Sequence, residues 1–226
     1  MGYLHPGKIL IEMAAHPNPK NLVIVGNALS PLDYSPLIDG AEKVLRFNEC
    51  KQFGGRVGTK TDILCVTNTG LPARRYIEQR PFLSFDAVRS AVVWFPRDSG
   101  AHLAHLKQIN QTHPRLDAEV LERELRDLSD DIIAANDLSG CAIERFSSDI
   151  NDRVFKELAR LGAPRLSIPS TGILALERIM KDPAFGDYRI HLLGFGFSGW
   201  NGHPWSAEKA LVADYVRLDR LAYYPV

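Results

Sequence analysis

A chain of 226 residues, 45% hydrophobic and 24% charged, buries roughly 70% of the surface its unfolded form exposes. That suffices for one substantial core, so the expectation is a single globular domain over 1–226. Its 27 basic and 27 acidic side chains cancel, which argues against a nucleic-acid surface while allowing a local basic pocket around a phosphate.

Cys50, Cys65 and Cys141 are far apart and form no CxxC pair, so a disulfide framework is not expected and a cytoplasmic, reducing setting fits. No basic-then-apolar leader opens the sequence, and no apolar run reaches the ~18 residues of a membrane span.

Residues 1–20 contain three prolines and read as an irregular lead-in, with Ile9–Met13 at most a short element. Asn21-Leu22-Val23-Ile24-Val25 is the first buried strand, and it runs into Gly26-Asn27. Pro36–Asp39 suggests a short helix, and Lys43–Phe47 a second strand that again ends on an amide, Asn48. Gly54–Thr61 is a glycine-rich loop. It is not a Walker A loop, because Gly58 is followed by Thr59 rather than by lysine. Strands are expected at Asp62–Asn68, Ala91–Phe95 and Ala142–Phe146. Helices are expected over Leu116–Ala135 and Asp149–Leu161. Another runs from Pro169-Ser170-Thr171-Gly172 to about Met180. A strand over Tyr188–Phe195 and a last helix over Ser206–Leu221 complete the reading. Strands separated by helices make α/β with a mostly parallel sheet the economical fold.

In such folds ligands gather at the carboxyl ends of the strands. Asn27 and Asn48 occupy two of those ends. Ser170 or Thr171 caps the helix that follows Pro169, and Gly172 leaves room beside the first turn, where free N–H groups and the positive helix end favour an anion or a ribose. The local sequence is satisfied equally by a plain cap and by a pocket. His203 follows the Tyr188–Phe195 strand, in His203-Pro204-Trp205-Ser206-Ala207-Glu208, where Ser206 can cap the last helix and Glu208 suits its first turn. A loop histidine there is either a local hydrogen-bonding residue or a neutral base for an attacking hydroxyl. His102, His105 and His113 lack a cysteine or carboxylate at ligand spacing, so no metal site is expected.

Taken together these pieces resemble the sialyltransferase family, glycosyltransferase family 29, and especially its small bacterial relatives that carry a urease-operon accessory label. Val23–Asn27 through Ile38-Asp39, then Val44–Asn48 and Val57–Asp62, are similar to the large sialyl motif. Pro169–Gly172 with Ile190–Phe195 is similar to the small motif, and His203 with Glu208 to the very small motif, His-x4-Glu.

The resemblance implies a single modified Rossmann-like domain, the sialyltransferase-like variant of the GT-A fold. It implies an inverting, metal-independent enzyme without a cofactor, moving a 2-keto sugar acid (Kdo, 3-deoxy-manno-octulosonic acid, or sialic acid) from CMP to a glycan acceptor such as lipopolysaccharide or capsule. Carried over by position, Asn27, Asn48, Ser170, Thr171, Gly172, Gly194 and Phe195 meet the donor nucleotide, His203 is the general base and Glu208 its acidic support. Arg46 and Lys60 stand in as phosphate or carboxylate contacts, because the second histidine of animal members has no counterpart here. The usual Gly-Asn-Ser-Gly turn is replaced by Gly26-Asn27-Ala28-Leu29, and the animal disulfide positions fall near Leu22 and Arg189. The competing expectation is a non-catalytic CMP-binding accessory protein of a glycan or urease-operon context. Neither reading involves nucleic acid or a transmembrane segment, and peripheral membrane contact is compatible with both.

Overall fold

The computed structural model describes residues 20–79, 91–112 and 117–226. Residues 1–19 of the expected lead-in lie outside them, as do His113 and Leu116, while Lys20 already belongs to the first strand. Seven strands form one sheet in the order β5-β4-β3-β2-β1-β6-β7, and every pairing is parallel. These are β1 (Lys20–Val25), β2 (Lys43–Phe47), β3 (Ile63–Cys65), β4 (Val92–Phe95), β5 (Ile143–Arg145), β6 (Tyr188–Leu193) and β7 (Leu221–Tyr224). Parallel neighbours require crossovers, and helices supply most of them: α1 (Ser35–Asp39), α2 (Gly70–Glu78), α3 (Ser99–Thr112), α4 (Ala118–Leu125), α5 (Ser129–Ala135), α6 (Ser148–Arg160), α7 (Thr171–Lys181) and α8 (Trp205–Arg217).

Alternation along each strand sends neighbouring side chains to opposite faces. Leu22 and Ile24 of β1, with Leu45, Phe47, Cys65 and Leu192, pack under α6, α7 and α8 through Val154, Leu158, Ile173, Leu176 and Leu211. On the other face Val23 and Val25 join Ile38 of α1, while Leu64, Val93 and Phe95 meet Ala73 of α2 and Ile132 of α5. Both faces are covered, and the central strands accordingly read as largely apolar runs, interrupted by the buried Arg46 of β2 and His191 of β6.

From β1 the chain builds outward to β5, then returns to lay β6 on the other side of β1. Strand order therefore reverses between β1 and β6, and in open parallel sheets that switch point, at the carboxyl edge, is where a ligand crevice forms.

Three expectations need correction. The helix expected over 116–135 is two helices, because Asp127 turns its carboxylate onto the Ser129 N–H (2.9 Å) and receives the Asn68 amide (3.0 Å). Such side-chain bonds compete with helix continuation. The last helix stops at Arg217, and Asp219 takes a left-handed φ of 55°. The chain then re-enters the sheet as β7, which the sequence reading places partly in the helix. Helix α8 begins at Trp205, with Pro204 at the cap position and no side-chain cap, so Ser206 lies inside the first turn.

Candidate functional site

The exits of β1 and β6 are pressed together at the switch point. Gly26 N–H donates to the Leu193 carbonyl (2.8 Å) and Ala28 N–H to the Gly194 carbonyl (3.1 Å). A Cβ on Gly26 would lie 2.2 Å from the Gly194 oxygen, and Gly194 itself has φ +68°, so both glycines are required by close approach and backbone geometry.

Three asparagines then fasten each strand exit to the next. The Asn27 amide donates to the Phe47 carbonyl (3.4 Å) and accepts from Lys51 N–H (3.1 Å). Asn48, at φ 52°, accepts from Thr67 N–H (2.9 Å). Asn68 donates to the Arg97 carbonyl (3.0 Å) and accepts from Arg97 N–H (3.2 Å). The Asn27 amide is thus largely engaged inside the protein. The Nδ2 group of Asn48 has no acceptor among the described residues.

Across this edge stands the turn that opens α7, each residue of which is held by a different element. The Ile168 carbonyl receives His203 Nδ1–H (2.6 Å). The Pro169 carbonyl receives the Arg97 guanidinium (3.1 Å). Ser170 donates its N–H and its hydroxyl to the two oxygens of Glu208 (2.8 and 2.7 Å), and its Oγ accepts from Ile173 N–H (3.2 Å) as the helix cap. Thr171 shares a hydroxyl–hydroxyl bond with Thr67 (2.5 Å). Gly172 faces the Phe195 ring, whose Cε1 would lie 2.6 Å from an added Cβ. That ring meets Phe47 edge-on, with centroids 5.7 Å apart. The room beside Gly172 is therefore filled, at least in part, by Phe195.

The electrostatics follow from this packing. Glu208 is 1% exposed, and burial raises its pKa against the opposing pull of the Ser170 bonds and of Arg97. Burial likewise draws His203 down to about 4, the Ile168 carbonyl opposing the shift and Arg97 adding to it. His203 is thus neutral near pH 7. Its Nδ1–H is committed to a carbonyl, so Nε2 carries the free lone pair. The edges of Trp200 and Trp205 flank the ring at centroid distances of 4.9 and 4.8 Å. A neutral imidazole with a fixed tautomer can accept a proton, and an anion bound nearby raises its basicity.

Arg46 and Lys60 turn their donors onto backbone carbonyls of the protein itself. Arg46 is 1% exposed and donates to the carbonyls of Val57 (2.6 Å), Gly58 (3.0 Å) and Lys60 (3.0 Å). Lys60 donates to the Ala41 carbonyl, just before β2 and so at the amino edge of the sheet. Arg97, one residue past Pro96, is a cation that reaches the turn opening α7, through the Pro169 carbonyl. Arg97, Thr67, Asn68 and Thr69 belong to no sequence motif named above, although the strand-end asparagine pattern of Asn27 and Asn48 extends to Asn68. His102 and His105 pack on Phe155, one edge-on at 4.8 Å and one stacked at 3.9 Å. Among the described residues no group of three or more His, Cys, Asp or Glu side chains is arranged to hold a metal ion, and no helix is long and apolar enough to cross a membrane.

No family model matches the chain. A curated relative, the urease operon 23 kDa accessory protein of Rhizobium meliloti (strain 1021), is 33% identical over 205 residues, which span 88% of this chain and 90% of that protein. A crystal structure of a mammalian sialyltransferase superposes with a TM-score of 0.55 at 17% identity, over 91% of this chain and 68% of that one. A second, of a mammalian sialyltransferase in complex with Gal-beta-1-3GalNAc-ortho-nitrophenol, gives 0.50 at 18% identity over 91% and 69%. These structural likenesses show that the fold is the sialyltransferase-like α/β type.

Proposed function

The chain belongs to the family of the urease operon 23 kDa accessory protein, and from that premise we propose that it binds CMP or a CMP-linked sugar acid at the carboxyl edge of its sheet. The observation that carries this reading is the held turn at Ile168–Thr171, which brings the Asn48 exit, the α7 N-terminus and a neutral histidine to one edge of the sheet. A helix start with its capping hydroxyl fixed presents its remaining N–H groups to an anion.

In the transferase form of this reading, the acceptor hydroxyl gives its proton to His203 Nε2 as its oxygen bonds the anomeric carbon. The bond from that carbon to the phosphate breaks on the opposite face, and CMP leaves with the electron pair. Configuration inverts in a single displacement. A hydroxyl has a high pKa, so a positioned base helps most as the new C–O bond forms. Glu208 does not touch the imidazole. It supports it indirectly, by fixing Ser170 next to the segment that orients His203.

A second reading, nucleotide binding without transfer, is favoured by two observations. The Ser170 hydroxyl is already engaged by Glu208 and by the helix cap. The space at Gly172 faces Phe195. In this reading the protein is an accessory factor, the word used for its Rhizobium meliloti relative.

CMP release from CMP-Kdo and CMP-sialic acid, measured with and without candidate glycan acceptors, tests the transferase form. It predicts at least a hundredfold loss in His203→Ala, in keeping with the ~10²–10⁴-fold that a general base contributes. Turnover unchanged in that variant removes His203 from the chemistry. Saturable CMP binding without turnover for either donor selects the accessory reading.

A further inference from the structure

Arg97 is half-buried at the exit of β4, and its backbone is gripped on both sides by Asn68. A guanidinium carries five N–H donors. One reaches the Thr69 hydroxyl (3.1 Å) and one the Pro169 carbonyl (3.1 Å). The Nε–H is buried without a partner among the described residues, and the second hydrogen on each terminal nitrogen also has no acceptor there. Burial lowers the pKa to about 10, which still leaves the group charged at neutral pH. Glu208 is the carboxylate that acts on it most strongly, yet both Glu208 oxygens are turned to Ser170. No ion pair forms between them.

A desolvated cation with unmet donors and no ion-pair partner is costly, and a planar donor fork matches the two oxygens of a carboxylate or phosphate. The fork is anchored to Pro169, between the Ile168 carbonyl that orients His203 and the Ser170 that opens α7. We propose that Arg97 is the oxyanion-binding residue of this edge of the sheet, receiving either the phosphate of a nucleotide or the carboxylate of the sugar joined to it. This rests on the CMP-site reading for its choice of ligand, though not for the anion chemistry itself.

Calorimetric titration of wild type, Arg97→Gln and Arg97→Lys with CMP, CMP-sialic acid, free sialic acid and inorganic phosphate tests it, with thermal melts to verify folding. The expected result is at least tenfold weaker binding in Arg97→Gln, with Arg97→Lys intermediate because it keeps the charge and loses the fork. Weakening of both CMP and CMP-sialic acid assigns the phosphate. Weakening of CMP-sialic acid alone assigns the carboxylate. Affinities within twofold of wild type for every probe overturn the proposal and leave the nucleotide site standing. Arg97-dependent binding of phosphate or free sialic acid without CMP binding supports Arg97 and removes the nucleotide reading. A wild type that binds none of the four probes overturns both. If the Arg97 variants do not fold, Thr69→Val releases one anchor of the fork, and it should weaken the same arm severalfold. An unchanged affinity in that variant counts against the proposal.

Discussion

Replacing Glu208 with alanine removes the acceptor of two bonds, at 2.8 and 2.7 Å, to a Ser170 that is itself 9% exposed. The variant leaves a buried N–H and a buried hydroxyl hydrogen without partners, each costing about 1–3 kcal/mol. Relief of the carboxylate's own desolvation offsets part of this, so the expected destabilisation is about 2–4 kcal/mol. Glu208→Gln is milder, at roughly 1–2 kcal/mol, because the amide oxygen still accepts from Ser170 N–H and its NH2 group can donate to the hydroxyl oxygen. A pH term separates this mechanism from simple loss of volume. The native pKa of Glu208 is raised, so its linkage contribution is fully present below the unfolded carboxylate value of about 4.3 and is lost as pH rises through the native value. The gap between wild type and Glu208→Gln should therefore be larger at pH 4 than at pH 7. Urea denaturation of all three proteins at the two pH values reads these quantities. A cost under about 1 kcal/mol for alanine, or equal costs for alanine and glutamine, refutes the reasoning.

Acid should destabilise the protein through its buried histidines. Burial holds His191 at about 4 and His102 at about 3. Each depressed value contributes stability that is present above the unfolded value of about 6.5 and is lost as pH falls toward the native one, with a slope of about 1.4 kcal/mol per pH unit for each histidine. His191→Gln should remove one such slope between pH 6 and pH 4.5, read by denaturation at stepped pH. Glycine substitutions should rank by what an added methyl meets. Gly26→Ala, aimed 2.2 Å from a backbone oxygen, should cost 3 kcal/mol or more, about the upper end for overpacking. Gly172→Ala meets a Phe195 ring that can give slightly and should cost about 1–3 kcal/mol. Gly140→Ala, with open space around it, should be neutral. Melting temperatures of the three variants give the order.

The largely apolar runs at Leu22–Val25, Val44–Phe47 and Ile190–Leu193, broken only by Arg46 and His191, are legible because both faces of a covered parallel sheet demand such residues. So is the α/β order they share with the helices. Leu221–Tyr224 is not, since four residues continuing the apolar spacing of α8 become a strand only through pairing with β6. The break at Asp127 depends on Asn68, 59 positions away. At the site, amides at strand ends and a helix start after Pro169 are visible in sequence, because local chemistry marks them. Arg97 carries no local mark, and its importance comes from which carbonyl the fold places within its reach. Arg46 and Lys60 stand in for the missing second histidine on the strength of the resemblance, and backbone carbonyls receive the donors of both.

The central claim is a CMP site at the carboxyl edge of the sheet, beside the joined exits of β1 and β6, and titration calorimetry tests it most directly. CMP added to the full chain, with UMP as the control base, should give saturable one-to-one binding that prefers CMP and weakens at least tenfold in Gly172→Trp, whose ring would occupy the turn beside Phe195. No heat with CMP, or equal binding in wild type and a folded Gly172→Trp, would contradict it.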